Sequence, residues 1–143
     1  MSGHYRGGCA CGQVKLELSG EPLLVRQCWC RHCQHLSGGS ATTNALFLTQ
    51  DFASEGEISW SAHVADSGNT LNWGFCPQCG SQLLSWSSAR PHMRVIRLGT
   101  LDQPHGLKPT QVIWTAQAPE WAVWDPGMEQ CDGPPAPPSV KPS

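Results

Sequence analysis

Three cysteines, Cys28, Cys30 and Cys33, lie within a segment of six residues. On an extended chain Cys28 and Cys30 project from the same face, and a tight turn can bring Cys33 back towards them. Three thiolates can therefore converge on one soft metal ion such as zinc. Three protein ligands with an open fourth position are typical of a catalytic zinc, whereas a structural zinc is closed by four ligands.

The spacing of this cluster leaves two alternatives open. One is an open site with three cysteine ligands. The other is a closed structural site whose fourth ligand comes from outside the short motif. Candidates for that fourth ligand are His32, His35 and Cys131.

A second motif, Cys76-x-x-Cys79 followed by Gly80, also indicates metal binding. A C-x-x-C turn presents both sulfurs to one ion, and Gly80 leaves the turn free of a side chain. The alternative is a thioredoxin-like redox pair, which requires a following helix within a βαβ unit. Residues 82–86 instead have a strand-like pattern, so we favour metal binding over a redox pair.

Cys9 and Cys11 are the natural partners of this pair. They lie two residues apart between glycines and point the same way if the chain is extended. We therefore predict a closed four-cysteine site of Cys9, Cys11, Cys76 and Cys79, which joins the start of the chain to its middle.

Length and charge narrow the class of protein. A chain of 143 residues indicates a single domain, and a net charge of -2 argues against a nucleic-acid partner bound through a basic surface. No apolar run approaches the ~20 residues of a membrane span, so no membrane partner is expected. The first residues lack the apolar segment of a secretory signal, so we expect a cytoplasmic location. Eight cysteines in a reducing compartment indicate metal or redox chemistry rather than disulfides.

The pattern between these motifs predicts a mostly β, single-domain fold. Frequent Gly and Pro and the absence of a long helical pattern favour short strands. Residues 14–18 alternate as a half-buried strand, and 23–27 is expected to form a hairpin with it. The seven tryptophans are expected to form the core, with Trp29 lining the three-cysteine site. Further strands are predicted at 42–48, 57–63, 70–75, 83–88, 95–98 and 111–114. The domain is expected to span 1–131, with 132–143 a disordered Pro-rich tail.

Four segments together, 8–12, 28–38, 75–81 and 99–102, resemble the glutathione-dependent formaldehyde-activating enzyme family, whose domain centromere protein V also carries. The resemblance spans about residues 5–125. It implies a β-tent fold, a set of antiparallel sheets stapled by zinc, with two zinc ions per chain. By resemblance, the structural zinc is held by Cys9, Cys11, Cys76 and Cys79. By the same resemblance, a catalytic zinc with an open position is held by Cys28, Cys30 and Cys33.

The resemblance also implies an activity, the condensation of formaldehyde with glutathione to S-hydroxymethylglutathione, which is classed as a carbon–sulfur lyase reaction. We therefore expect a zinc-dependent enzyme that acts on a small thiol such as glutathione or on its adduct. The candidate partners for the carboxylates of glutathione are Arg26, Arg31, Arg94 and Arg97. Two positions depart from the pattern of many members, Trp29 and His35, and both flank the predicted site.

The alternative from a different class is a non-catalytic zinc-binding module that binds a partner protein. An enzyme should keep an exchangeable ligand on the second zinc and an enclosed pocket. A binding module should show a closed second site and an exposed apolar patch.

Overall fold

The computed structural model describes residues 3–135, which form two β-sheets and one short α-helix. The strands are β1 (His4–Gly8), β2 (Lys15–Ser19), β3 (Leu24–Cys28), β4 (Thr42–Leu48), β5 (Phe52–Glu55), β6 (Ser59–Val64), β7 (Thr70–Phe75), β8 (Gln82–Ser87), β9 (Met93–Arg97), β10 (Gln111–Ile113) and β11 (Glu129–Gln130). Helix α1 is Arg31–Ser37, and three 3₁₀ turns are Thr49–Asp51, Leu98–Thr100 and Thr115–Gln117.

The smaller sheet has the strand order β1-β2-β5, and the larger has the order β11-β10-β3-β4-β9-β8-β7-β6. All pairs are antiparallel except those of β10, which runs parallel to both β3 and β11. The mostly antiparallel β fold of the β-tent class expected from the sequence is confirmed.

The predicted hairpin between residues 14–18 and 23–27 is wrong. Strand β2 pairs with β1 and β5, while β3 pairs with β4 and β10 in the other sheet. Because both edges of β2 are occupied, the turn at 20–22 passes the chain from one sheet to the other. Gly20, at φ 92°, provides the left-handed conformation at the start of that turn.

The core lies between the sheets and is built by period-two alternation. Val25, Ala45, Ile96 and Leu84 stand in register across β3, β4, β9 and β8, and they cluster with the buried side chains of β2. The expectation that the tryptophans form this core is wrong, because Trp29 alone among the seven is buried. Aliphatic side chains together with Phe47 fill the space between the sheets instead.

The opposite face of the larger sheet is polar. Gln111, Arg26, Asn44 and Arg97 stand in register across β10, β3, β4 and β9. They alternate with the core residues, so they project away from the smaller sheet. Cys28 lies two residues beyond Arg26 on the same face, and this face therefore carries the three-cysteine cluster.

The C-terminal part of the predicted tail, residues 136–143, lies outside the described residues. Within the described part, backbone carbonyls of Asp132 and Gly133 accept hydrogen bonds from the N–H groups of Ala116 and Trp114. Across residues 3–135, no helix has the length and apolar character needed to cross a membrane.

Candidate metal centres

The sulfur atoms of Cys9, Cys11, Cys76 and Cys79 converge, and all four lie within 4.8 Å of one another. The Cys11 sulfur is 3.5 Å from that of Cys9 and 3.7 Å from that of Cys76. The cluster joins the loop between β1 and β2 to the loop between β7 and β8. The structure thus brings together the four cysteines that were predicted to share one ion.

Backbone geometry prepares these loops to hold thiolates. The N–H of Val14 donates to Cys9 Sγ at 3.2 Å, and the N–H of Gln78 donates to Cys76 Sγ at 3.4 Å. Gly80 closes the C-x-x-C turn by donating its N–H to the Cys76 carbonyl. Its φ of 77° requires glycine, whereas the space around its Cα is open, so conformation rather than room explains this residue.

Ser81 links the two loops, a role that sequence analysis missed. Its Oγ accepts a hydrogen bond from the N–H of Ala10 at 3.0 Å and lies 3.2 Å from Cys79 Sγ. The hydrogen bond with Ser81 lowers the pKa of Cys79 to about 5. Because metal ligands must be deprotonated, Ser81 favours the metal-binding form of this cysteine.

The second cluster consists of Cys28, Cys30 and Cys33, whose sulfurs also lie within 4.8 Å of one another. Cys28 ends β3, Cys30 is the N-cap of α1, and Cys33 lies in its first turn. The Cys33 N–H donates to Cys30 Sγ at 3.3 Å, so a helical turn provides the predicted convergence.

Within residues 3–135, no fourth His, Cys, Asp or Glu ligand atom joins this cluster. None of the three candidates named from the sequence joins the three sulfurs. Cys131 accepts a weak hydrogen bond from Gln111 Nε2 at 3.9 Å, His35 is exposed, and His32 packs against other rings.

The donor set of the second cluster fits a metal cation. Hydrogen bonds with Cys28 and Cys33 lower the pKa of Cys30 to about 2, so negative charge concentrates on this sulfur. Hydrogen bonds with Cys30 and Cys33 raise the pKa of Cys28 in turn. Three thiolates this close repel one another in a half-buried site, and a bound cation would allow all three to ionise. Each of the two clusters can therefore hold a metal ion.

Gln34 fixes the helix that carries Cys33. It is buried, and its Nε2 donates to the carbonyls of Trp29 at 2.7 Å and Gln117 at 3.0 Å. Gln117 accepts a second hydrogen bond from the Arg31 N–H at 2.8 Å through its Oε1. The helix is thereby tied at its start to the 3₁₀ turn after β10.

Replacing Gln34 by alanine should destabilise the protein by about 1–3 kcal/mol, because buried carbonyl groups lose their donor. The free energy of unfolding from urea denaturation measures this loss. The matched control is Gln50→Ala, since Gln50 is exposed and makes no side-chain hydrogen bond to the described residues. Equal stability of the two variants would contradict the anchoring role of Gln34.

The three-cysteine cluster opens on a cavity of about 190 Å³ in the polar face of the larger sheet. The cavity lies between that sheet and α1. Its lining residues are Arg26, Cys28, Cys30, His32, Cys33, Leu36, Asn44, Leu71, Trp73, Ser85, Trp86, Ser87, Arg90, Val95, Arg97 and Ile113. Three arginines and two tryptophans thus surround the sulfurs.

The arginines of the cavity have few protein partners. Arg97 is 8% exposed and donates from Nη1 to Asn44 Oδ1 at 2.6 Å, while its buried Nε has no partner among the described residues. The guanidinium groups of Arg26 and Arg90 make no hydrogen bond within residues 3–135. Burial lowers the pKa of both Arg26 and Arg97, although nearby cysteines oppose this shift.

Of the four arginines named from the sequence, the structure places Arg26 and Arg97 in the cavity. The guanidinium of Arg31 instead donates to Gln34, and that of Arg94 donates to Thr49 and two backbone carbonyls. Arg90 was missed, because it lies in the turn between β8 and β9, where no periodic pattern marks it.

A chain of hydrogen bonds extends from Arg97 towards the three-cysteine cluster. Arg97 donates to Asn44 Oδ1, and Asn44 Nδ2 donates to Thr42 Oγ1 at 2.9 Å. Thr42 stands opposite Cys28 in the register of β3 and β4, so the chain ends beside the cluster.

Aromatic rings cover one side of the cavity. His63 stacks on Trp73 with ring centroids 5.7 Å apart, and His32 packs against both rings. The expectation that Trp29 lines this site is wrong. Trp29 is buried against Trp121 and Trp124, on the far side of the backbone that carries Cys28 and Cys30.

Comparisons with known proteins bear on this site. A family model described as glutathione-dependent formaldehyde-activating enzyme matches residues 4–117. Among solved structures, the chain is similar to the crystal structure of a Rhodobacter sphaeroides protein, a Northeast Structural Genomics target. The two share 22% sequence identity and a TM-score of 0.55, over 73% of this chain and 91% of that chain. This similarity shows a common fold. The curated proteins contain no significant match to the chain.

Proposed function

The chain belongs to the glutathione-dependent formaldehyde-activating enzyme family, and from this we propose that it is a zinc-dependent carbon–sulfur lyase-type enzyme. The family resemblance of the sequence motifs is confirmed by the match over residues 4–117. The proposed reaction makes or breaks the bond between a thiol sulfur and a carbonyl carbon such as that of formaldehyde. Its site is the cavity at Cys28, Cys30 and Cys33.

One observation carries this proposal. The three sulfurs converge at the wall of a cavity, and no fourth protein ligand joins them within the described residues. A substrate therefore has room to approach the position that a fourth ligand would take in a structural site.

Zinc is the metal we assign to both clusters, two ions per chain, because it suits sulfur-rich sites of three or four ligands. We assign Cys9, Cys11, Cys76 and Cys79 to a structural ion. When bound at the other cluster, zinc would supply a Lewis-acid position at which a thiol loses its proton. None of the eight cysteines, all of which lie in the described part of the chain, forms a disulfide; this supports a reducing compartment, and we therefore propose the cytoplasm.

The residues of the chain would bind and shield the substrate. The rings of Trp73 and Trp86 would limit the access of water to the reacting sulfur. The hydrogen bonds from Arg97 to Asn44 and from Asn44 to Thr42 would order the sheet beside the cluster. The positive charge of the cavity arginines favours a thiolate substrate over a neutral one.

Thiol binding tests this proposal directly. In the zinc-loaded protein, X-ray absorption at the zinc edge should show more sulfur around zinc after addition of β-mercaptoethanol, but not after addition of its S-methyl ether. Because the thiol must lose its proton, its apparent affinity should rise as the pH approaches its own pKa, ~8.5 for a cysteine-like thiol. If the number of sulfur atoms around zinc stayed unchanged with every thiol, the proposed enzyme function would be contradicted.

A second candidate is a non-catalytic zinc module that binds a partner protein. It is favoured by the exposure of apolar side chains in one loop, Trp121 at 67% and Val123 at 86%. This function would replace the proposed enzyme function if zinc at the second cluster already had four protein ligands.

A further inference from the structure

The cavity beside Cys28, Cys30 and Cys33 is small and carries a surplus of positive charge. We propose that its substrate is a short thiol carboxylate, of the size of mercaptoacetate or cysteine, rather than the whole of glutathione. The sulfur is held at the three-cysteine cluster, and the carboxylate is held by Arg26 and Arg97. The sulfur anchor rests on the proposed function, whereas the carboxylate anchor rests on the arginines alone.

The volume of the cavity limits the size of the substrate that it can hold. Its volume is about 190 Å³. Pockets that enclose drug-sized ligands have volumes of about 300–1,000 Å³. A tripeptide extends over roughly 10 Å, so most of a glutathione molecule would lie outside. A thiol with one short carbon chain and one carboxylate matches this volume better.

The positive charge of the cavity favours a substrate with negative charge. Arg26, Arg90 and Arg97 line it, and no acidic side chain of the described residues does. Three thiolates on a divalent cation retain one negative charge, which balances one of the arginines. A ligand that brings a thiolate and a carboxylate would balance the other two, whereas a neutral thiol would leave buried positive charge uncompensated.

Hydrogen-bond donors without a protein partner indicate that the substrate carries a carboxylate in addition to its thiol. Arg97 is nine-tenths buried, yet its Nε has no partner within residues 3–135. Buried donors are normally paired, whereas the guanidinium of this cavity-lining arginine makes only the hydrogen bond to Asn44 within the described residues, so its remaining donors indicate a ligand that the protein itself does not provide. The planar guanidinium matches a carboxylate through two parallel hydrogen bonds.

The register of the sheet places these donors at a short distance from the sulfurs. Arg26 and Arg97 flank Asn44 on neighbouring strands, while Cys28 stands opposite Thr42 two residues along. Two residues of a strand span about 7 Å, so the arginine row and the cysteine row are adjacent on one face. A short chain can bridge them.

Arg94 shows that the free donors are a property of the cavity. It lies on the same strand as Arg97, but its guanidinium donates to Thr49 and two backbone carbonyls and stacks on Trp86 at 4.7 Å. The protein thus satisfies Arg94 internally and leaves the cavity arginines available.

Four thiols test this proposal by calorimetric titration of the zinc-loaded protein, with zinc content measured after each titration. Mercaptoacetate, β-mercaptoethanol and cysteamine have equal chain length but end in an anionic, a neutral and a cationic group. We expect mercaptoacetate to bind at least about tenfold more tightly than the other two, because it alone of the three can form a bidentate ion pair with an arginine guanidinium. Glutathione should bind no more tightly than mercaptoacetate.

Arg26→Gln should remove the preference for the anion, weakening mercaptoacetate about tenfold and leaving β-mercaptoethanol within about twofold. Arg26 is only half buried and has no protein partner to lose, so this variant should fold. The control is Arg6→Gln, an exposed arginine of β1 in the other sheet, which should bind all four thiols as the parent does.

The outcomes separate this proposal from the proposed function. Equal affinity for mercaptoacetate and β-mercaptoethanol would overturn the carboxylate anchor while the thiol site stands. Binding of glutathione tenfold tighter than mercaptoacetate would overturn the small-substrate assignment. Failure of all four thiols to bind would overturn the proposed function and this inference with it.

Discussion

Cys76→Ser and Cys9→Ser are each expected to unfold the domain. Their cluster connects two loops that are distant in sequence, so the free energy of metal binding there becomes free energy of folding. For a structural zinc this is on the order of 10 kcal/mol, comparable with the whole stability of a domain, ~5–15 kcal/mol. A serine hydroxyl is a poor replacement for a thiolate ligand.

Thermal melts followed by circular dichroism, together with zinc content, measure this effect. Cys30→Ser should remain folded, because its cluster lies largely within one short segment and closes little chain entropy. Cys131→Ser is the matched control, since Cys131 lies in neither cluster. Equal destabilisation by Cys76→Ser and Cys30→Ser would refute the assignment of the four-cysteine cluster as structural.

Cys30→Ser should reduce the rate of adduct formation between formaldehyde and a thiol at least about a thousandfold. Lewis-acid stabilisation by a metal is worth several kcal/mol, and each 1.4 kcal/mol corresponds to a factor of about ten in rate. The loss of Cys30 leaves the cluster with two of its three sulfurs and so weakens metal binding there.

The rate is measured by exchange NMR of the hydroxymethyl adduct above its uncatalysed background. Mercaptoacetate and glutathione serve as the thiols. Cys131→Ser should keep the parent rate with both. A folded Cys30→Ser variant with full activity would mean that the reaction takes place elsewhere or needs no metal at this cluster.

Both cysteine clusters were found from spacing, and the structure brings the same residues together. The sequence carries this information because a C-x-C or C-x-x-C pair must place its sulfurs near one another whatever surrounds it. Most strands were also predicted, since the alternation of apolar and polar residues reflects which face meets the core.

Such patterns do not predict which strands pair with one another. Alternation specifies the face of a residue, but not which strand lies beside it, so the hairpin predicted between 14–18 and 23–27 did not form. The parallel placement of β10 beside β3 is likewise a long-range pairing without a local signal.

The amino-acid sequence and the tertiary structure therefore account for different parts of this site. The sequence alone predicted the mostly β fold and the cysteine pairs of the two candidate metal sites, because alternation and C-x-C or C-x-x-C spacing depend on residues close together along the chain. Only the tertiary structure assembled the cavity beside the three-cysteine cluster, in which Arg26, Asn44 and Arg97 meet from three strands and Arg90 joins them from a turn. Their proximity results from sheet register, which the packing of the whole core selects and no single segment encodes.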